Sequence, residues 1–388
     1  MMPRAAPRVA IAYDCLYPLQ HGGGERVYGR IAEILSSRGS KVTYITRFED
    51  AATRPPRVPY DVACVWRGRV HDDAGNRTTT SAIAFAAALF RFLVRRRSDY
   101  DLVMVAALPV LNVFAARLAL LGSGTRLVVD WLEVWPAPKW RSYAGPVTGT
   151  IAWALQSLAA RMGHVLTVNS SFTRDRLRAL RRHADPIVLG LVDLAGEEPE
   201  ASVTSPASPT ALFVGRHIRE KRLEVLPAAL SVARRTVPGL RLLIAGSGPE
   251  TPRLRAAAAA EGVADSVDVL GRVDEDVLRR LMIDASVLVN PSAREGFGLV
   301  VVEAAAAGTP SVVVAGEDNA AADLVIDGVN GEVSASADAV ELGNSIARVV
   351  LAGEALRRTT LDWFRRERVE RGLERSVDAI LDRALPTS

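Results

Sequence analysis

Short apolar runs rich in β-branched side chains alternate with longer stretches of helical periodicity along this 388-residue chain. In the first half such runs lie at residues 9–13, 41–45, 102–106, 127–129 and 165–168. In the second they lie at 210–214, 240–244, 267–270, 287–289 and 311–314. Runs this short, bounded by Gly, Pro, Asn and Asp, read as buried strands, and the segments between them read as helices. Strands alternating with helices predict parallel sheets covered on both faces. Residues 197–209 interrupt the pattern with a polar, proline-rich stretch that has no periodicity, which makes them the expected linker. The expected fold class is therefore α/β, with two Rossmann-like, doubly wound parallel-sheet domains facing a cleft. Their bounds are 1–196 and 210–360, with a terminal helix at 361–388. Over residues 353–385, Trp363, Val369, Leu373, Val377, Ile380 and Leu381 recur at three- and four-residue spacings, so one helical face is expected to pack.

Chemistry-bearing residues cluster where these strands should end. After the run at 287–289 come Glu295 and Glu303, with Gly296, Phe297, Gly298 and Leu299 between them. The first carboxylate falls on a loop and the second on a helix that Gly308 and Pro310 close. Glycines let backbone approach a ligand, and free N–H groups at a helix start favour an anion or a ring of hydroxyls. After the run at 210–214 come Gly215, Arg216 and Lys221, two cations suited to holding a diphosphate as negative charge builds on a leaving oxygen. After the first strand, His21 is followed by Gly22, Gly23 and Gly24 and then by a helical pattern. The G-x-G-x-x-G spacing fails there, because position 27 is Val.

Composition narrows the classes. Two cysteines, Cys15 and Cys64, exclude a disulfide framework and a cysteine-based zinc cluster. His21, His71, His164, His183 and His217 show no metal-ligand spacing, so no metal and no cofactor are expected. Asp274, Glu275 and Asp276 open a helix, where an N-cap and favourable dipole charges explain them better than a metal does. Strand-like sequence begins within about ten residues of Met1, so no signal peptide is expected. Residues 102–121 are broken by Pro109, Asn112 and Arg117 and read as strand, turn and helix rather than as a membrane span.

The net charge of +4 conceals an asymmetry: residues 1–195 carry +11 and residues 196–388 carry −7. The first half is thus expected to meet something anionic. Residues 82–90 are apolar and run into Arg91, Arg95, Arg96 and Arg97, which fits either a core helix with solvated arginines or contact with an anionic membrane. Arg174, Arg176, Arg178, Arg181 and Arg182 form a second basic cluster. No nucleic-acid motif accompanies these charges, so no nucleic acid is expected as a partner.

Taken together, these motifs resemble the retaining glycosyltransferases of family four, which have the GT-B fold. The Glu295 to Glu303 stretch matches that family's E-x7-E motif, and Gly215, Arg216 and Lys221 match its Gly-Arg-x4-Lys, with Arg222 where the family usually has Gly. Gly246, Ser247, Gly248 and Pro249 resemble a family loop for which a structural turn is the simpler reading. The segment 167–173 resembles a strand end, and helix capping accounts for it.

The resemblance implies a metal-independent retaining transferase that takes a nucleoside-diphosphate sugar and a hydroxyl acceptor, lipid-linked or otherwise. It assigns Arg216, Lys221 and Glu295 to catalysis. It assigns Gly23, Gly24, Arg272, Val273, Gly296, Phe297, Gly298, Leu299 and Glu303 to the donor, with Glu303 on the ribose. It also implies that the terminal helix returns to the first domain. Asp130, Leu132 and Glu133 fall on the sugar and acceptor side, where many relatives carry a His at the position of Leu132. Leu132 then faces a donor lacking a polar C5 substituent, or the alignment shifts by one and Glu133 does the polar work. A sugar-nucleotide epimerase and a non-catalytic sugar-nucleotide-binding subunit are the alternatives. The expected location is the cytoplasm, either free or peripheral on the inner face of the membrane.

Overall fold

The structure is a computed structural model and describes residues 6–20, 22–70, 78–195, 203–206 and 208–386. His21, His71 and most of the expected linker lie outside the described residues. The chain divides into two compact units, residues 1–191 with 371–388 and residues 192–370. The first division precedes the expected boundary at 196, and the second falls ten residues after the expected one at 360.

The first unit holds a seven-stranded sheet in the order β3-β2-β1-β4-β5-β6-β7. Its strands are β1 (Arg8–Ala12), β2 (Lys41–Phe48), β3 (Asp61–Arg67), β4 (Leu102–Ala106), β5 (Arg126–Trp131), β6 (Val165–Val168) and β7 (Ile187–Val188). Every pairing is parallel. The intervening helices are α1 (Gly23–Ser37), α2 (Thr79–Arg96), α3 (Leu111–Ala119), α4 (Ala137–Ala144), α5 (Pro146–Ala159) and α6 (Ser171–Leu180). Residues 102–121 resolve into β4, a turn and α3, as the broken apolar run implies. β3 has no counterpart among the expected strands. It is an edge strand whose inner residues are only partly buried, so its sequence lacks a clear alternation.

Strand alternation sorts the helices into two layers. Ala10, Ala12, Val103 and Val105 pack in one core with Phe85 and Leu89 of α2, Val113 of α3, Ala159 of α5 and Leu177 of α6. Val9, Ile11, Leu102 and Met104 point the other way, toward Ile31 and Leu35 of α1.

The second unit holds a six-stranded parallel sheet in the order β10-β9-β8-β11-β13-β15. Its strands are β8 (Thr210–Val214), β9 (Arg241–Ala245), β10 (Val267–Gly271), β11 (Val287–Asn290), β13 (Ser311–Val314) and β15 (Gly331–Ser334). Two-residue β12 (Arg294–Glu295) and β14 (Asp318–Asn319) pair beside it. The helices are α7 (Leu226–Ala233), α8 (Thr251–Ala260), α9 (Glu275–Asp284), α10 (Leu299–Ala306) and α11 (Ala339–Glu370). Asp274 caps α9 by accepting from the Val277 N–H at 2.8 Å, the role its acidic run suggested.

Helix α11 bends at Gly353, whose φ is +55°, and ends at Glu370. Gly372 then opens α12 (Leu373–Ala384), which belongs to the first unit. Val377 and Ile380 of α12 pack with α1 beneath the sheet, and Arg38, which caps α1, bonds Asp378 at 2.5 Å. One continuous packing face over residues 353–385 is thus corrected. The break at Arg371 and Gly372 rotates the register, and Val369 is left 65% exposed.

Candidate functional site

In an open parallel sheet, the loops after two adjacent strands diverge where the winding direction reverses, and ligands sit at that point. In the second unit β8 is flanked by β9 and β11, so the reversal lies between the ends of β8 and β11. The loop after β8 carries Arg216 and Lys221, and the loop after β11 carries Glu295.

These loops are fastened together. Lys221 Nζ pairs with Glu295 Oε1, and their side chains are 18% and 14% exposed. The same oxygen accepts from Ser292 Oγ at 3.1 Å and from Asn290 Nδ2 at 3.3 Å. Ala293 N–H donates to the Glu220 carbonyl at 2.8 Å. Asn319 donates to the Ser292 and Val314 carbonyls at 3.1 and 2.8 Å, holding the loop from its far side. Glu295 is therefore a fixed, ion-paired carboxylate. Arg216, in contrast, is exposed, and among the described residues its guanidinium makes no ion pair. A cation in that state remains available to an anionic ligand.

Arg222 explains how this chain replaces the expected glycine. It adopts φ +47° and ψ +45°, a left-handed conformation that costs an L-residue roughly 1 to 2 kcal/mol. Its guanidinium offsets the strain by donating to the Pro291 carbonyl at 2.7 Å and the Ser292 carbonyl at 3.1 Å. Arg222→Gly would relax the backbone while cutting the tie to the Glu295 loop. Turnover is expected to fall about tenfold, near the value of one or two hydrogen bonds to a charged group, with melting temperature little changed. Wild-type turnover in steady-state assays of Arg222→Gly would refute this role.

The residues expected on the donor side occupy the surrounding loops and the start of α10. Phe297 and Gly298 are buried, while Gly296 and Leu299 are partly exposed. Gly298 caps α10 at φ +98° with no side-chain cap, and in the first turn the Val301 N–H donates to the Gly298 carbonyl at 2.9 Å. A Cβ there would lie 2.5 Å from Ala321 Cβ, so glycine is required. Glu303 sits on α10, partly exposed. Arg272 and Val273 follow β10, and Arg272 Nε donates to Ser247 Oγ at 3.2 Å.

Sequence reading passed over Asn290, Ser292, Arg222 and His217 as site residues. For Asn290 the available signal was a polar side chain closing an apolar strand. His217 is wholly buried; its Nδ1 lies 2.7 Å from Thr251 Oγ1, which donates to the Gly248 carbonyl at 2.8 Å. That chain of bonds makes Nδ1 the protonated nitrogen. Burial holds the imidazole pKa below its usual value, so the ring is neutral near pH 7.

In the first unit the winding reverses between β1 and β4, and the glycine loop follows β1. Gly23 and Gly24 form the first turn of α1, whose cap, Gly22, supplies no side-chain acceptor. A Cβ on Gly24 would lie 3.1 Å from Tyr13 Oη and 3.4 Å from Leu132 Cδ1, so these three residues meet.

Asp130 is a correction. It is fully buried and accepts from Tyr28 Oη at 2.5 Å and from Thr167 Oγ1, so both oxygens serve the core. Burial raises its pKa, while the two hydrogen bonds oppose that shift. It positions β5 and α1 and is closed to a ligand. Glu133 is also engaged, accepting from Trp135 Nε1 at 2.8 Å.

Comparison with known proteins agrees with this geometry. Over 97% of both chains the fold matches a sucrose-phosphate synthase from Thermosynechococcus elongatus, with a TM-score of 0.76 at 20% identity. It also matches Anabaena HepE in complex with UDP, with a TM-score of 0.72 at 18% identity over 97% of this chain and 99% of that one. Two parallel-sheet α/β units of this kind define the GT-B fold of glycosyltransferases.

Residues 22–189 match the glycosyl transferase 4-like domain, and residues 196–360 match the glycosyl transferases group 1 family. The chain belongs to the group 1 glycosyltransferases. Among curated relatives, a Mycobacterium tuberculosis glycogen synthase is 37% identical over 147 residues, which are 38% of this chain and 34% of that protein. A Mycobacterium leprae phosphatidyl-myo-inositol mannosyltransferase is 32% identical over 212 residues, 51% of this chain and 55% of that protein. The chain thus spans about a third to about half the length of these relatives.

Proposed function

We propose that this protein is a retaining, metal-independent glycosyltransferase that moves a sugar from a nucleoside-diphosphate sugar to a hydroxyl acceptor. The observation that carries the proposal is the Lys221–Glu295 pair beside exposed Arg216 at the reversal point of the second sheet. Arg216, Lys221 and the uncapped start of α10 supply positive charge to the diphosphate, replacing a divalent ion. Glu295 accepts hydrogen bonds from the sugar hydroxyls, and Glu303 holds the ribose. The C1–O bond to the diphosphate breaks as the acceptor oxygen attacks from the same face, and the acceptor proton passes to the departing phosphate oxygen. A nucleoside diphosphate leaves, the anomeric configuration is kept, and no protein nucleophile is consumed.

The first unit takes the acceptor, carried on a lipid or on another glycoside. In this reading it approaches an anionic membrane surface through α2, whose end exposes Arg91, Arg95, Arg96 and Arg97. No helix of the described residues is long and apolar enough to cross a membrane.

A panel of UDP, GDP and dTDP sugars tests the reading. One donor should raise the melting temperature, because a ligand of the native state stabilises it by mass action. With an acceptor, that donor should yield a retained glycoside in the presence of EDTA. Glu303→Gln is expected to weaken donor binding about tenfold, since it removes one charge-assisted hydrogen bond, while kcat at saturation changes little. No shift with any donor, or an isomerised donor formed without acceptor, would overturn the proposal.

A further inference from the structure

In the first unit α4 and α5 form a hairpin that the transfer chemistry does not use. A Cβ on Gly149 would lie 2.3 Å from the Trp140 carbonyl oxygen, so the two helices touch along their backbones. Gln156 fixes the hairpin to the loop after β5. It accepts from the Trp135 backbone N–H and from Trp140 Nε1, both at 3.1 Å, and donates to the Trp135 carbonyl at 2.8 Å. Trp135 and Trp140 pack at a ring separation of 4.8 Å. These contacts tie the two helices to each other and to the loop after β5.

Its outer face is apolar. Helix α4 buries no residue, and α5 buries only Gly149, Gln156 and Ala159. Val147 is 72% exposed, Ile151 56% and Leu158 50%, with Tyr143 at 62% on α4. Positions 147, 151 and 158 recur at helical spacing, so the three aliphatic side chains form one line along α5. A soluble surface helix ordinarily turns such a line inward.

Charge selects the occupant. Glu133 and Asp175 bracket residues 134–174, which contain no acidic residue, and the charged side chains of the hairpin and its flanks, Lys139, Arg141 and Arg161, are all cationic. A second copy of this chain would set cations against cations. Exposed aliphatics, Trp and Tyr at the rim, and a sequence span that carries cations and no acidic residue match the interface of an anionic bilayer. Helix α2 lies in the same layer of the unit and exposes Phe90 (38%) and Val94 (41%) beside its arginines.

We propose that the α4–α5 hairpin docks on an anionic lipid surface, with Val147, Ile151 and Leu158 entering the acyl boundary and the exposed Arg141 and Arg161 meeting the headgroups. This deepens the membrane part of the reading above and rests on no step of the transfer.

Flotation of the full chain with phosphatidylcholine vesicles, with and without phosphatidylglycerol, tests it. The wild type should float with phosphatidylglycerol vesicles, and added salt should weaken the binding. Val147→Glu with Ile151→Glu should lower partition about tenfold or more, since it removes two apolar anchors and adds two repelled charges. Arg141→Ala should lower it about fivefold. Should the glutamate pair fail to fold, Val147→Ser with Ile151→Ser on the same exposed line should lose partition in the same direction. Absence of flotation, unchanged flotation of these variants, or a wild-type dimer that the variants dissociate would each overturn the proposal. Donor-induced melting shifts should be the same in wild type and variants, so failure of the transferase reading registers separately from failure of docking.

Discussion

Glu295→Gln is expected to reduce kcat by about 10²- to 10³-fold, the scale seen when one aligned polar group at a reacting centre is removed. The amide keeps the shape and can still meet Ser292 and Asn290, but it loses the charge that pairs with Lys221. Lys221→Met should cost a similar factor, because the leaving diphosphate then loses a cation. The two losses should not add. Once either partner is gone, the other no longer holds its position, so the double variant should be little worse than the worse single one. Because these side chains are 18% and 14% exposed, solvent screens part of the penalty. Each single variant should cost only about 1 to 2 kcal/mol of stability. Steady-state kinetics on the four proteins of the cycle, with a thermal melt of each, makes the measurement. Additive losses would mean that the pair is not a unit, and turnover within a few-fold of wild type would remove both residues from the mechanism.

A large effect on stability is expected from Gly246→Ala. Gly246 holds φ +133°, and a Cβ there would stand 1.9 Å from the Gly215 carbonyl oxygen and 3.2 Å from His217 Nε2. The first contact is with backbone, and the second is with a buried ring that Thr251 already fixes. Relief requires the loops after β8 and β9 to part, breaking the bonds from Gly215 N–H to the Ala245 carbonyl and from His217 N–H to the Ser247 carbonyl. The expected cost is about 3 kcal/mol or more, a fall of roughly 10 °C in melting temperature for a unit of this size. Donor affinity should fall with it, because Arg216 lies in the displaced loop. Gly328→Ala is the control. Gly328 also has positive φ, +74°, but a Cβ there meets nothing within 4 Å, so only the conformational strain of about 1 to 2 kcal/mol applies. Equal melting shifts in the two variants would show that close packing of the loops contributes nothing.

Much of the fold was legible because its strands are central. The runs at 102–106, 165–168, 210–214 and 311–314 coincide with β4, β6, β8 and β13, whose sequences are apolar on both faces. Strand β3 at its edge, β15 with Gly331 and Glu332 in a four-residue strand, and the two-residue β12 and β14 carry no such pattern. Candidate site residues were legible where they formed spaced motifs, as Arg216 with Lys221 and Glu295 with Glu303 do. They were illegible where the role depends on a partner distant in sequence. Asp130 looked like a group aimed at a ligand, because its position at a strand end is right. Only the approach of Tyr28, 102 residues away, and of Thr167, 37 away, shows that it is consumed by the core.

Local periodicity, glycine and proline punctuation and motif spacing, all properties of neighbouring residues, determined from sequence alone the α/β class, the α9 cap at Asp274 and the loops that carry charge. Tertiary structure alone decided which charges pair, which are buried and which helix faces are left uncovered. Lys221 meets Glu295 across 74 residues, Arg222 meets Pro291 across 69, and α5 turns Val147 and Ile151 outward. Each of these outcomes is set by strand order and by the side of the sheet on which a crossover falls, and no window of sequence contains that information.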